Sequence, residues 1–212
     1  MNDLHLLPLP LLAALGGWAS ITIDNVPDYI VAGQPVTINY TVRQHGAEPL
    51  SGLSGSIKAA SGEMVATAAV TAAGRAGHYT ATLTLPRPGD WTISINAGFR
   101  TARVTLLPIK VIAAGMPLPL LADAERGQRL FVGKGCVTCH VHRDVPAEGV
   151  KYGPDLSDRS FPADDLARFL ADPAKVLRAR GSTKSMPDLE LQPREIAALV
   201  AFINQDGLTA GR

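Results

Sequence analysis

Five consecutive residues, Cys136-Val137-Thr138-Cys139-His140, govern the second half of this 212-residue chain and hold its two cysteines. Two thiols three residues apart, with an imidazole directly after them, are what covalent attachment of a c-type haem needs: each sulfur adds to one vinyl side chain, and His140 then lies under the iron. Two other chemistries use the same spacing. A structural zinc ion wants four thiolate or imidazole ligands. Here the fourth would have to be distant, because His142 is too close and His45 and His78 sit in a different compositional zone. A thioredoxin-type dithiol needs a βαβ setting, which the flanking sequence lacks.

A chain of this length can hold two modest domains, each with its own core. The formal net charge is +1 and is spread evenly over both halves, which gives no footing for nucleic acid or for a broadly anionic surface. Both thiols are committed to one motif, so compartment has to be judged from elsewhere. Leu4 to Trp18 is an apolar run broken by Pro8 and Pro10 and followed by the small residues Ala19 and Ser20. Residues 1–19 therefore suit a signal-like or anchoring segment better than a full membrane span of about 20 residues, although Asp3 stands where a basic residue is usual. No cysteine follows the run, which rules out a lipoprotein anchor. The competing reading makes Leu4 to Leu15 an apolar part of the fold.

Residues 20–112 read as short alternating strands separated by turn residues, the pattern of an antiparallel sandwich. Seven strands are expected: Ile21 to Val26, Val36 to Arg43, Leu53 to Ala60, Met64 to Thr71, His78 to Leu85, Asp90 to Asn96, and Ala102 to Ile112. Val36, Ile38, Tyr40 and Val42 alternate with polar residues, as do Tyr79, Ala81, Leu83 and Leu85, so one face is apolar and the other wet. Trp91, Ile93 and Ile95 extend the inward face, and Tyr79 and Trp91 are expected in the core. Pro86 to Asp90 makes a turn. Gly77-His78-Tyr79 and Pro88-Gly89-Asp90-Trp91 resemble the strand starts of immunoglobulin-like modules in bacterial extracytoplasmic proteins. Some relatives of that architecture bind copper, which draws attention to His45, Met64 and His78, three residues scattered without a ligand pair at short spacing.

Residues 113–121, with Pro117, Pro119 and Gly115, read as a semi-stiff linker that would hold the second domain at a set distance from whatever the sandwich touches. Helical signals fill residues 122–207. Ala124, Gly127 and Phe131 share one face, with Asp123 and Glu125 in the first turn. Asp164 to Ala171 forms a short helix that buries Leu166, Phe169 and Leu170 and is ended by Pro173. A last helix starts at Pro193 and carries Ile196, Leu199, Phe202 and Ile203 as one stripe up to Gly207.

With the haem-attachment motif between these helices, the C-terminal domain resembles class I cytochromes c. In that fold the first and last helices cross closely, a glycine and an aromatic of one meeting a leucine and an aromatic of the other. Gly127, Phe131, Leu199 and Phe202 match those positions. Gly153-Pro154-Asp155-Leu156 resembles the family's Gly-Pro-x-Leu segment, which implies that the Pro154 carbonyl accepts a hydrogen bond from His140. The segment from Asp123 to Gln205 is most similar to the cytochrome c domain attached to subunit two of certain bacterial haem-copper oxidases, through Asp165 to Pro173 and Met186-Pro187-Asp188-Leu189. This chain lacks the further cysteines that such a subunit's copper domain needs. Relatives often cap the last helix with Ser or Asp; Gln192 here should cap it less well.

The expected fold is thus two-domain, β then α: an immunoglobulin-like sandwich followed by an all-α class I cytochrome c fold. The resemblance implies one covalent haem c, iron included, bound through Cys136 and Cys139. His140 and Met186 would be its axial ligands. Met186 lies far enough beyond His140 to wrap around the macrocycle, where His142 cannot reach; its other reading is a gap-filling core methionine. Pro154 orients His140, and Arg159 is a candidate partner for a haem propionate. With both axial sites filled, dioxygen and peroxide have no site, and one-electron transfer remains.

The expected role is an extracytoplasmic electron carrier, not an enzyme in its own right, in the periplasm or on the outer face of the cytoplasmic membrane. Its partner would be a redox protein or a membrane oxidoreductase complex, with attachment through the N-terminus or a partner subunit. Lys175, Arg178, Arg180 and Lys184 would steer an acidic partner. Two alternatives stand beside this: a haem sensor or peroxidase in which Met186 leaves the iron, and a copper- or partner-binding sandwich with an accessory haem domain.

Overall fold

The structure, a computed structural model, describes residues 17–205. Strand-forming sequence occupies its first part, as β1 (Ala19–Ile23), β2 (Tyr29–Val31), β3 (Pro35–Gln44), β4 (Glu48–Pro49), β5 (Ser56–Ser61), β6 (Met64–Ala69), β7 (Thr71–Ala72), β8 (His78–Thr84), β9 (Gly89–Asn96), β10 (Arg103–Thr105) and β11 (Ile109–Ile112). One sheet runs β1-β3-β8-β7 with β4 on the edge of β3; the other runs β2-β11-β9-β5-β6 with β10 beside β9. All pairings are antiparallel except that of β2 with β11. Period-two alternation places Ile38, Tyr40 and Val42 of β3, Tyr79, Ala81 and Leu83 of β8, and Trp91, Ile93 and Ile95 of β9 in one core. Trp91 closes the turn before it by donating from Nε1 to the Arg87 carbonyl at 3.0 Å.

Two of the expected seven strands are each divided in two, and β2 and β4 were not anticipated. The expected run from Ala102 to Ile112 breaks at Leu106 to Pro108, where Pro108 has no N–H for a ladder. The first strand starts at Ala19. Trp18 accepts from the His45 N–H at 3.0 Å, so these residues of the expected signal-like segment belong to the sandwich; residues 1–16 of that segment lie outside the described residues. No helix among the described residues is long and apolar enough to cross a membrane.

The helices are α1 (Asp123–Gly133), α2 (Ala163–Ala171), α3 (Pro173–Ala179) and α4 (Pro193–Ile203). Pro173 does end α2, but it then serves as the first residue of α3, for which Asp172 supplies the cap by accepting from the Lys175 N–H at 2.9 Å. The start of α4 is also better held than its Gln192 suggests: Glu195 reaches back and accepts from the Gln192 N–H at 3.0 Å. The expected stop at Gly207 lies outside the described residues, and α4 ends at Ile203.

Helices α1 and α4 cross at Gly127. A Cβ there would collide with the Ala198 carbonyl, so only glycine lets the two backbones approach this closely. Phe131 and Phe202 then meet edge to face, with centroids 5.6 Å apart.

Residues 113–121 contain no helix or strand. Helix α1 packs directly on the sandwich. Arg126 grips the Asp28 carboxylate with Nε at 3.0 Å and Nη2 at 2.9 Å, and Arg129 donates to the Asp28 carbonyl at 3.3 Å. Lys134, only 2% exposed, donates to the Asp24 carbonyl at 2.7 Å and pairs with Glu195 at 2.8 Å. The sequence pattern of each half shows its own core but not the charges that join them.

Candidate haem site

Beyond α1 the chain turns sharply through Gly135 (φ 81°) into a single 3-10 turn, Cys136–Thr138. Cys139 and His140 both donate their N–H to the Cys136 carbonyl, at 3.1 and 2.8 Å, which brings the two thiols and the imidazole to one side of a tight loop. Burial pushes the Cys136 thiol up to about 12 and raises that of Cys139 as well. Both sulfurs are thus favoured as neutral thiols. Among the described residues, no group of three or more His, Cys, Asp or Glu side chains stands together as a metal site.

His140 Nδ1 lies 3.0 Å from the Pro154 carbonyl oxygen. A carbonyl only accepts, so Nδ1 carries the proton and Nε2 keeps its lone pair. Burial lowers the pKa of His140, with the bond to Pro154 acting in the opposite direction, and the ring is thereby favoured as the neutral form a metal requires. The acceptor itself is fixed by the backbone: Gly153 donates to Cys139 at 2.8 Å and Leu156 to Val141 at 2.8 Å, bracketing Pro154.

Cys136, Cys139, His140, Pro154 and Met186 all line one cavity of about 350 Å³, whose apolar wall is Phe131, Leu156, Phe161, Leu166, Phe169, Leu170, Leu177 and Ile203. Two thiols, an imidazole with a free Nε2 and a thioether around an apolar cavity are the donor set that haem c uses, so these residues fit that group. Arg159 is exposed and lies outside this lining; its Nε donates to the Asp155 carbonyl at 2.7 Å.

Sequence reasoning missed two features of the site. His142 is buried, its ring 4.3 Å from Phe202 and 5.9 Å from Phe131, part of the crossing that backs the attachment turn. Its position two residues past His140 could have suggested this. Tyr152, 66% exposed, lines the cavity beside Gly153; Arg180 and Lys184, singled out in the basic segment before Met186, line it as well. The possible copper ligands are not assembled. His78 Nδ1 is 3.2 Å from Thr41 Oγ1 in one sheet, Met64 opens β6 in the other, and His45 packs edge-on against Trp18 at 5.9 Å.

No curated protein matches the chain. Among solved structures it is similar to surface layer protein SbsC, domains 1-6, at 26% identity over 46% of this chain and 13% of that one, with a TM-score of 0.36. It is also similar to the Lin-41 filamin domain at 14% identity over 45% of this chain and 90% of that one, with a TM-score of 0.36. A third is the Escherichia coli adhesin FdeC, at 23% identity over 48% and 32%, TM-score 0.35. The chain thus spans a small part of the first of these, and at such TM-scores the likenesses say nothing of what either half does. Residues 124–206 match the family model for cytochrome c, and the C-terminal part of this chain is accordingly a c-type cytochrome domain, carrying covalently bound haem c with its iron and serving electron transfer.

Proposed function

We propose that the protein is an exported one-electron carrier in which His140 and Met186 are the two axial ligands and Cys136 and Cys139 the thioether anchors. One observation carries this reading: His140, with Nδ1 tied to Pro154, and Met186 line the same apolar cavity as the two thiols. Bound haem supplies exchange of a single electron between ferric and ferrous iron. The protein's share is to hold and to exclude. Pro154 keeps the imidazole in one tautomer and raises its basicity. Met186 fills the position that dioxygen or peroxide would need, and its thioether favours the ferrous state. Phe161, Leu166, Phe169 and Leu170 keep water from the site, so little has to reorganise when the charge changes.

The partner we propose is an acidic redox protein or a membrane oxidoreductase. Lys175, Arg178, Arg180 and Lys184 are all exposed, no acid interrupts them, and Arg180 and Lys184 belong to the cavity wall. Such a rim raises the association rate, and its effect falls with salt. Export, to the periplasm or the outer membrane face, is proposed from the demands of covalent haem attachment together with the apolar N-terminal sequence.

Replacement of Met186 by Ala tests the ligation. The potential should fall by on the order of 0.1 V or more, well within the span of about 0.8 V that axial ligands command, and the ferrous protein should bind carbon monoxide. An unchanged potential with no carbon monoxide adduct would remove Met186 from the iron.

A further inference from the structure

The turn between β3 and β4 carries two residues in the left-handed region, His45 at φ 51° and Gly46 at φ 74°. Glycine adopts that backbone freely; histidine does so under strain, which clusters at functional sites. Gly46 is buried although His45 and Ala47 on either side of it are exposed. Trp18 and Pro187 cover it: a Cβ on Gly46 would stand 3.4 Å from the Trp18 ring and 3.8 Å from Pro187 Cγ. Trp18 is itself fixed. Its carbonyl accepts from the His45 N–H at 3.0 Å, and the His45 ring meets its indole edge-on, centroids 5.9 Å apart. The same imidazole lies so close over Gly17 that a Cβ there would collide with Nε2.

Pro187 directly follows Met186, in a stretch that belongs to no helix or strand from residue 182 to 192. The hydrogen bonds of this stretch are local: Ser182 N–H to the Leu177 carbonyl at 3.0 Å, Lys184 N–H to Ser182 Oγ at 3.1 Å, Glu190 N–H to the Asp188 carboxylate at 2.8 Å. Side-chain packing therefore sets its position, with Leu189 and Leu191 on the core and Pro187 on the sandwich turn. Segments held in this way open at low cost. The sandwich is also tied to the segment that bears His140. Arg126 and Lys134 of α1 bind Asp28 and Asp24, and α1 leads through Gly135 into the attachment turn. One β-body thus touches the segments that carry both axial residues.

We propose that the β3–β4 turn positions the distal ligand: Trp18 and Gly46 seat Pro187, His45 wedges Trp18, and Met186 is thereby kept on the iron. This role rests on Met186 as an axial ligand. Trp18, His45 and Gly46 touch no cofactor and act through Pro187.

Imidazole added to the ferric, haem-loaded, full-length protein tests it. An added ligand reaches the iron only where Met186 has left, so its apparent affinity scales with that open fraction. Trp18→Ala should tighten imidazole binding about tenfold and lower the potential, and Trp18→Phe should restore most of both. Pro187→Ala should give a similar gain, and Trp18→Ala added to it should change binding by less than about twofold, since both remove one contact. In Met186→Ala, imidazole should bind more tightly than in the parent, and Trp18→Ala should add nothing. Unchanged emission from Trp91 and an unchanged melting temperature of the sandwich show that it is folded. Should Trp18→Ala not fold, Pro187→Ala, which leaves the sandwich untouched, decides alone. Affinity within about twofold of the parent in either folded variant, or a full effect of Trp18→Ala persisting beside Pro187→Ala, would overturn the positioning role. The ligation stands in that case as long as Met186→Ala binds more tightly than the parent. If it does not, the ligation fails and the role of the turn with it.

Discussion

Among the described residues, ten of the twelve largest fully buried side chains lie in the β-sandwich, Trp91, Tyr40 and Ile93 among them, and two, Phe131 and Phe202, lie in the helical half. The sandwich closes its interior with its own side chains. The helices close only the crossing of α1 and α4; where the rest of a core would be, Phe161, Phe169, Leu177 and Met186 stand half-exposed around a cavity. Both halves are made of ordinary apolar residues, so the contrast lies in what completes each core. For the sandwich it is more protein. For the helices it is a covalent group larger than any side chain, which α2 would cover together with its existing packing on α4 and α3.

The strongest way to break that contrast is to withhold the group. Replacing Cys136 and Cys139 by Ser should leave the sandwich folded, with the environment of Trp91 unchanged in fluorescence and near-ultraviolet circular dichroism. The helical half should lose cooperative melting and a large part of its far-ultraviolet helix signal. If the doubly substituted, haem-free protein instead melts in a single transition at the parent temperature, the helical core is complete without the haem and the contrast is wrong.

The same contrast explains how far the sequence could be read. Strands with period-two alternation, such as those holding Ile38 and Tyr40 or Trp91 and Ile93, declare which face is buried because the partner is another strand of the same kind. Gly127, Phe131, Leu199 and Phe202 were legible through the resemblance, and so was the bond from His140 to Pro154. What was not legible arises from contacts between segments whose local patterns are each complete. Lys134 looks like a solvated helix-end lysine until Asp24 and Glu195 close over it. Helix α3 looks like a loop because its proline reads equally as the end of one helix or the start of the next. Tyr152 reaches the cavity only because the chain doubles back from Cys139 to Gly153, and no periodicity records that.

The buried lysine sharpens the comparison at the place where the halves meet. Lys134→Met keeps most of the side-chain volume and removes the ammonium, leaving the Asp24 carbonyl and the Glu195 carboxylate, 15% exposed, without their partner. The expected cost is about 2 kcal/mol, since breaking one side of a buried pair is more damaging than replacing both. Lys134→Met with Glu195→Leu should recover part of it. Because the lysine touches both halves, urea unfolding followed at Trp91 and at the haem band should shift together. A shift seen at the haem band alone would mean that the sandwich is a passenger on the helical half.

The smallest effect is confined to the sandwich and concerns one of its two buried polar atoms without a hydrogen bond among the described residues, the other being Arg43 Nη1. Tyr40 and Tyr79 stack with centroids 5.6 Å apart, but only Tyr79 finds partners for its hydroxyl, donating to the Leu50 carbonyl at 2.7 Å and accepting from the Leu53 N–H at 3.2 Å. The Tyr40 hydroxyl is buried with no hydrogen bond. Burial, reinforced by Tyr79, pushes its pKa from 10.0 up to about 12. A folded-state pKa above the unfolded one means that the unfolded chain loses its proton first as pH rises. The contribution from this group is thus whole below pH 10 and is lost between pH 10 and about 12. Tyr40→Phe removes an unsatisfied polar atom without opening a cavity, so at pH 7 it should stabilise the sandwich by about 1 kcal/mol, and the fall in stability above pH 10 should become shallower. Urea midpoints of parent and variant at neutral and alkaline pH check both. A variant that is less stable at pH 7 would show that the hydroxyl has a partner after all, and that the sandwich core is as fully satisfied as it is fully packed.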